Sequence, residues 1–159
     1  GAIEAGYLLD SLYVEGIADG CHLPGELLSL IYKIKGAERI CLVTDSMRAA
    51  GMPDGEYLLG SGQEGIRCIK EDGVAKLPDR SAFAGSVATA DRLVRTFRRV
   101  TDAPLYQAVK MMSLTPARLM GVEERKGSVA EGKDADLLLF DEEIRIKGVM
   151  ARGKFAGVY

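Results

Sequence analysis

His22 and Asp45 are the two side chains whose places in the sequence best suit chemistry. Asp45 comes directly after the apolar run 39–44, and His22 follows a short strand-like stretch at 13–18. A helical segment separates them, so the pattern reads strand, helix, strand. In a parallel βαβ unit the carboxyl ends of both strands meet at one edge of the sheet, where α/β folds place their sites. We therefore expect both side chains to face the same cavity.

The residue types at this edge allow a catalytic and a structural interpretation. A carboxylate after buried apolar residues needs a cation or a donor beside it, and a metal ion or a reacting amine would supply one. Asp45 also suits the N-cap of a following helix, and His22, the only histidine, suits a structural role with its ring nitrogens satisfied. The spacing of these two residues with Cys21 and Cys41 matches no familiar zinc pattern, so a complete metal site is not predicted.

Composition limits the class of protein. The chain has 159 residues, 47% hydrophobic and 28% charged, which predicts one ordinary globular domain with a real core. The formal net charge of -2 disfavours a general nucleic-acid binder, and a face of four arginines (Arg92, Arg95, Arg98 and Arg99) is interpreted as solvated. No apolar run is long enough for a membrane span, so we expect a soluble, cytoplasmic protein. The three cysteines are expected to be reduced, buried thiols.

The patterns along the chain predict helices and strands that alternate in the first part, and then an antiparallel hairpin layer at 53–81. Ser86 is a candidate cap for a helix that ends near Val100, and Thr115 for a shorter one. Asp72-Gly73 is a hairpin turn. Predicted helices span 2–12, 26–34, 87–100, 104–112 and 115–121, and predicted strands span 13–18, 39–44, 66–70, 74–77, 136–140, 144–151 and 154–159.

Several sequence blocks carry a resemblance to a known family. The segment Gly127–Asp141, with the sequence GSVAEGKDADLLLFD, resembles the C-terminal signature of the metal-dependent amidohydrolase superfamily. Within it, the chain resembles the N-acetylglucosamine-6-phosphate deacetylase family over essentially its whole length. The blocks that carry this narrower match are Ala18–His22, Leu42–Met47, Pro53–Tyr57, Phe83–Ser86 and Ser113–Arg118.

The resemblance implies hydrolysis of the acetamide of N-acetylglucosamine 6-phosphate, giving glucosamine 6-phosphate and acetate. Asp45 falls on the family's catalytic aspartate, which takes a proton from the attacking water and later delivers it to the leaving nitrogen. The loop of Asp19, Gly20, Cys21 and His22 falls on a substrate loop, with His22 as a hydrogen-bond donor to a sugar hydroxyl or phosphate oxygen. A second substrate loop is implied at Phe83, Ala84 and Gly85.

The resemblance also implies an α/β fold that is the C-terminal part of a TIM-like (β/α)8 barrel, with its last two strands, plus part of a small β-sandwich. Segments 1–52 and 82–122 would belong to the barrel, 53–81 to a β-hairpin insertion and 123–159 to the sandwich. A barrel of this kind has about 250 residues. The family's metal ligands, a glutamate and two histidines, would lie before Gly1, so zinc or iron is expected in the full-length enzyme and the fragment alone is expected to be inactive.

The expected partner is a phosphorylated amino sugar, with no nucleic acid or membrane, and the full-length enzyme is expected to be a homodimer. Two alternatives stay open at this stage. One is another metal-dependent amidohydrolase, similar to a dihydroorotase or an aminoacylase. The other is a non-catalytic interaction module that has kept the fold without its chemistry.

Overall fold

The computed structural model describes residues 1–61 and 65–158, which form a mixed α/β structure. Residues 62–64 and 159 of the predicted segments 53–81 and 123–159 lie outside the described residues. In chain order the elements are α1 (Ala2–Leu8), β1 (Val14–Gly16), α2 (Gly25–Lys35), β2 (Ile40–Leu42), β3 (Gly55–Leu59), β4 (Ile66–Glu71), β5 (Val74–Lys76), β6 (Phe83–Ser86), α3 (Ala90–Val100), α4 (Leu105–Met112), α5 (Leu114–Leu119), β7 (Leu137–Phe140), β8 (Ile146–Ala151) and β9 (Lys154–Val158).

The predicted βαβ unit is confirmed. β1 and β2 pair in parallel, with Gly16 opposite Leu42, and α2 connects them. β2 is buried along its whole length, as expected for a continuous apolar run in a parallel sheet. α2 begins after Pro24 and buries Leu28 and Ile31 one turn apart, so one face of the helix packs onto the sheet.

A four-stranded antiparallel sheet in the order β3-β4-β5-β6 follows. The predicted hairpin turn is present, with positive φ at both Asp72 (52°) and Gly73 (75°), as a two-residue hairpin turn of type I′ requires. The segment Phe83–Gly85, which the resemblance placed in a loop, is instead part of strand β6, paired with β5. The antiparallel sheet therefore extends past the predicted insertion boundary at residue 81.

Helices α3, α4 and α5 pack beside the parallel strands. Phe97 and Leu93 of α3 and Met111 of α4 are almost fully buried in the main core. The predicted caps are wrong by a few residues. α3 begins after Thr89, because Ser86 belongs to β6 and its hydroxyl accepts the Ala88 amide instead. Thr115 lies inside α5, where its buried hydroxyl donates to the Ala37 carbonyl at 2.6 Å.

The signature segment leads from α5 into a three-stranded antiparallel sheet, β7-β8-β9. Gly127 has a φ of 85°, and a Cβ there would lie 2.8 Å from Leu114 Cα and from Ala117 Cβ. Only glycine permits this approach of the chain to α5. β7 then pairs with β8 in antiparallel fashion, and the register shifts between Leu139 and Phe140.

Within the described ranges, no helix combines the length and apolar character that crossing a membrane requires.

Candidate functional site

Three chain segments meet at the carboxyl edge of the parallel strands. The Val43 amide donates to the Gly16 carbonyl at 3.1 Å, which continues the β1–β2 pairing toward Asp45. Three residues after Val43, Ser46 forms a parallel bridge with Ser86, and the Met47 amide donates to the Ser86 carbonyl at 2.9 Å. The edge therefore joins the loop after β1, the loop after β2 and strand β6.

Asp19 and His22 form a hydrogen-bonded pair in the loop after β1. Asp19 is buried, with 1% of its surface exposed, and its Oδ2 lies 2.7 Å from His22 Nδ1. Its Oδ1 accepts the backbone amides of Cys21 and His22, each at 2.9 Å. Gly20, with a φ of 82°, lets the chain turn back over the carboxylate. The carboxylate thus fixes both the loop backbone and the imidazole.

The electrostatics of this pair favour an ionised Asp19. Burial is the strongest single influence and opposes ionisation, but the amides of His22 and Cys21 and the His22 ring together outweigh it, so the pKa of Asp19 is lowered. An ionised carboxylate only accepts, so Nδ1 carries the proton. Nε2 of a neutral ring then accepts hydrogen bonds, and it donates only when the ring is protonated.

Strand β6 borders the loop of residues 19–22, called the His22 loop below. Phe83 lies beside His22, and Gly85 lies beside Met47. The Phe83 ring is 48% exposed and its centroid lies 5.0 Å from that of His22, with the planes tilted by 52°. Gly85 has a φ of 121°, and a Cβ there would touch Met47 at 3.4 Å. Ala84 between them is buried, so of these three residues Phe83 offers the exposed surface.

Asp45 is exposed at the same edge and caps no helix. The residues after it form the bridge at Ser46 and then turns, so the N-cap interpretation is wrong. Its backbone is in the left-handed region, with a φ of 46°, which is uncommon for residues other than glycine and more frequent for Asp and Asn. Strand pairing on both sides of Asp45 holds it in this conformation, and residues held this way concentrate at functional sites.

The prediction that all four arginines of α3 form a solvated face is correct for two of them. Arg98 and Arg99 are exposed, but Arg92 donates to the carbonyls of Asp19 and Gly73 at 2.7 and 2.8 Å. Arg95 bonds to Asp91 and to the Ile144 carbonyl. Sequence reasoning missed Arg92 because its partners are backbone carbonyls distant in the sequence, and side-chain periodicity carries no information about them.

The described residues do not fit a complete metal site. Across residues 1–61 and 65–158, no group of three or more His, Cys, Asp and Glu side chains is arranged to hold a metal ion. Cys41 and Cys68 are buried, as predicted, and burial raises the pKa of both thiols. Cys21 is only half-buried and lies in the His22 loop.

An apolar cavity of about 340 Å³ lies away from this edge, between α3, α4 and the C-terminal sheet. Val94, Phe140 and Ile146 are among its lining residues. Its one carboxylate, Asp91, is paired with Arg95 at 2.6 Å. We assign no chemistry to it.

Comparison with known proteins places this arrangement in a family. The model of the amidohydrolase family matches residues 1–156, and the chain belongs to that family. Members of the family generally depend on a metal ion. The more specific similarity is to sugar-phosphate deacetylases. The chain is 38% identical over 154 residues to N-acetylglucosamine-6-phosphate deacetylase of Lysinibacillus sphaericus, and 35% identical over 156 residues to N-acetylgalactosamine-6-phosphate deacetylase of Escherichia coli O157:H7.

These alignments cover nearly all of this chain but a minority of most relatives. They include 97% of the chain and 38% of the Lysinibacillus protein, and 98% of the chain and 40% of the Escherichia coli O157:H7 protein. A shorter relative from Escherichia coli strain K12, 35% identical, is covered to 90%.

Solved structures agree with the sequence comparison. N-acetylglucosamine-6-phosphate deacetylase of Thermotoga maritima superposes with a TM-score of 0.89 at 36% identity, covering 100% of this chain and 42% of that protein. An aspartate-to-alanine mutant of the Mycobacterium smegmatis enzyme, in complex with N-acetyl-D-glucosamine-6-phosphate, superposes with a TM-score of 0.88 at 31% identity, covering 98% of this chain and 40% of that protein.

Proposed function

We propose that the protein containing this chain removes the acetyl group from an N-acetylated amino-sugar 6-phosphate, N-acetylglucosamine 6-phosphate in the first place, to give the free amine and acetate. The observation that carries the proposal is the meeting of Asp45, the Asp19–His22 pair and Phe83 at one edge of the parallel strands. The names of the similar proteins support the choice of substrate class.

Asp45 is the proposed proton carrier. It is exposed at the carboxyl end of β2, so its carboxylate is accessible to a substrate and a water molecule. A carboxylate in this place takes a proton from the water that attacks the acetyl carbonyl. It then returns that proton to the nitrogen as the carbon–nitrogen bond breaks. One residue serves first as base and then as acid.

The His22 loop and β6 are the proposed substrate surface. With Nδ1 bound to Asp19, His22 presents Nε2 to a sugar hydroxyl or phosphate oxygen, as acceptor when neutral and as donor when protonated. Gly20, Cys21 and Gly85 contribute backbone close to the sugar, and Phe83 offers an exposed ring against which a sugar face packs. Asp19 and Ala84 are buried, so we assign them to positioning these groups.

The placement of this unit in a larger fold follows the same resemblance. We propose that segments 1–52 and 82–122 form the last part of a (β/α)8 barrel that contains β1 and β2, with 53–81 as an insertion and 123–159 as sandwich strands. The intact enzyme would hold its divalent metal, zinc or iron, on ligands that the described residues do not supply, and would act as a cytoplasmic homodimer. We assign no chemical step to the metal here.

A substrate panel tests the proposal. The longest reading frame that includes this chain is assayed, with added zinc or iron, on the 6-phosphates of N-acetylglucosamine and N-acetylgalactosamine, on an N-acetyl amino acid and on dihydroorotate. We expect acetate release from the amino-sugar phosphates, and the ratio between the two shows which sugar is preferred. Turnover of only the amino acid or of dihydroorotate would replace this function with that of another amidohydrolase. No turnover of any substrate would favour the non-catalytic module.

A further inference from the structure

Arg92 connects two loops that are 54 residues apart in the chain, at Asp19 and Gly73. It lies half-buried near the start of α3. Its Nη2 donates to the Asp19 carbonyl at 2.7 Å and lies 3.6 Å from Cys21 Sγ, while its Nη1 donates to the Gly73 carbonyl at 2.8 Å. The guanidinium therefore spans the gap between the His22 loop and the β4–β5 turn.

We propose that Arg92 is a positioning residue for His22, and that it makes the orientation of the imidazole depend on the Asp72–Gly73 turn. The inference rests on the proposed function for its consequence in substrate binding, but its structural content is independent of the substrate. Arg92 holds the backbone of Asp19, and the carboxylate of the same residue holds His22 Nδ1 at 2.7 Å. A shift of the Asp19 backbone thus moves the group that orients the ring.

The geometry of the guanidinium explains why an arginine is needed. Its planar fork donates in two directions from one rigid group, whereas the single ammonium of lysine does not reproduce this geometry. Both acceptors are main-chain carbonyls, so the two hydrogen bonds depend on the backbone conformation of the two loops and not on the identity of their side chains.

The turn has a further link to the site through the sheet. β5 begins at Val74, directly after Gly73, and pairs with β6, which carries Phe83. Arg92 therefore connects the His22 loop to the sheet that contains Phe83. The centroids of the His22 and Phe83 rings lie 5.0 Å apart. This contact fixes the relative position of the two sides of the proposed substrate surface.

The single histidine makes the proposal measurable on the 159-residue chain itself. Nitrogen-15 spectra of the imidazole report which nitrogen carries the proton, and the signal needs no assignment because His22 is the only histidine. In the wild type at a pH where the ring is neutral, we expect the Nδ1–H tautomer to predominate. In Arg92→Met, we expect the ratio of Nδ1–H to Nε2–H tautomers to fall by roughly two- to tenfold, the range that corresponds to one net hydrogen bond.

Arg98→Met is the matched control, because it removes the same charge from an exposed position on the same helix. We expect the control to have the wild-type ratio. An Arg92→Met protein that folds and keeps the wild-type ratio would overturn the proposal.

A second pair of variants tests the coupling without altering Arg92. Gly73→Ala introduces a Cβ that would lie 3.1 Å from Arg92 Nη1, at a φ of 75°. Gly153→Ala introduces the same strain, also at a φ of 75° in a hairpin turn, with no atom of its surroundings within 4 Å. We expect Gly73→Ala to change the His22 spectrum and Gly153→Ala to leave it as in the wild type.

Identical His22 spectra in the two glycine variants would overturn the coupling, and this comparison decides the question if Arg92→Met does not fold. Neither readout depends on turnover. If the substrate panel shows no deacetylation but the His22 spectra respond as expected, the proposed function fails while the positioning role of Arg92 stands.

Discussion

At the residue scale, Asp45 shows what a sequence pattern specifies and what it leaves open. The apolar run before it predicted its place at the end of a buried strand, and β2 confirms that place. The left-handed backbone at Asp45 was not predicted, because it depends on the pairing of the next residue, Ser46, with Ser86, which lies forty residues after Ser46 in the chain. The interpretation of Asp45 as a helix N-cap was wrong for the same reason, since the residues after Asp45 pair with β6 instead of starting a helix.

Asp19 should make protein stability depend on acidity. Its pKa is lowered in the folded protein, so its contribution is complete above the unfolded-chain pKa of about 3.9 and is lost as the pH falls through the folded value. We expect Asp19→Asn to lower the free energy of unfolding by roughly 1–3 kcal/mol at neutral pH. The difference from wild type should shrink below about pH 4.

Urea unfolding of both proteins from pH 7 to pH 3 measures this difference. Asp54→Asn, an exposed aspartate in the turn before β3, is the control and should show little difference at any pH. A difference for Asp19→Asn that grows on acidification would mean that the buried carboxyl is held neutral.

At the scale of elements, the sequence predicted what depends on local pattern. The parallel strands, the Asp72-Gly73 hairpin and α4 lie within a few residues of their predicted bounds. Strand β6 was missed because Phe83–Ser86 has too few residues to show alternation, and it becomes a strand only by pairing with β5. Thr115 was misplaced as a cap because its hydroxyl is satisfied by Ala37, a partner that only the tertiary structure supplies.

One side chain of α2, Lys35, bonds to the end of helix α1. None of the α1 residues is buried, and the buried Lys35 ammonium donates to the carbonyls of Gly6 and Leu9 near the end of α1 at 2.9 and 2.8 Å. We expect Lys35→Met to lower the free energy of unfolding by about 1–3 kcal/mol and to speed hydrogen exchange throughout α1. Exposed Lys33 on the same helix gives the control, since Lys33→Met should change stability by less than about 0.5 kcal/mol.

Exchange rates measured residue by residue decide between local and general effects. Equal acceleration in α1 and in the buried strand β2 would show that Lys35 stabilises the whole fold and does not specifically attach α1.

At the scale of the whole molecule, strand β7 presents an apolar surface. Leu138 and Leu139 are 58% and 67% exposed, and within the described ranges β7 pairs only with β8. An apolar strand at a sheet edge is a template for pairing with another chain, and a lysine on such a strand opposes it. We expect the 159-residue chain to associate as its concentration rises in sedimentation velocity, and we expect Leu139→Lys to weaken that association. A wild-type chain that stays monomeric at all concentrations would contradict this expectation.

Part of the candidate site could be predicted from the sequence, and the rest depends on the tertiary structure. The sequence predicted His22 and Asp45 at one edge because parallel strands place their ends together, and the resemblance added the Phe83 segment. The Asp19–His22 contact, the tilted contact between the Phe83 and His22 rings and the role of Arg92 were not predicted. Each depends on the distance between atoms in loops, which residue types and spacing do not specify.

The most direct test of the central claim is the rate of acetate release from N-acetylglucosamine 6-phosphate by the Asp45→Asn variant. It is made in the longest reading frame that includes this chain and compared with wild type. Asparagine tolerates the left-handed backbone that Asp45 adopts, so the fold should be retained, which circular dichroism and urea unfolding would verify. We predict a fall in kcat of about 10²- to 10⁴-fold, the range for loss of a general acid–base group. A folded Asp45→Asn protein that releases acetate at the wild-type rate would contradict the account.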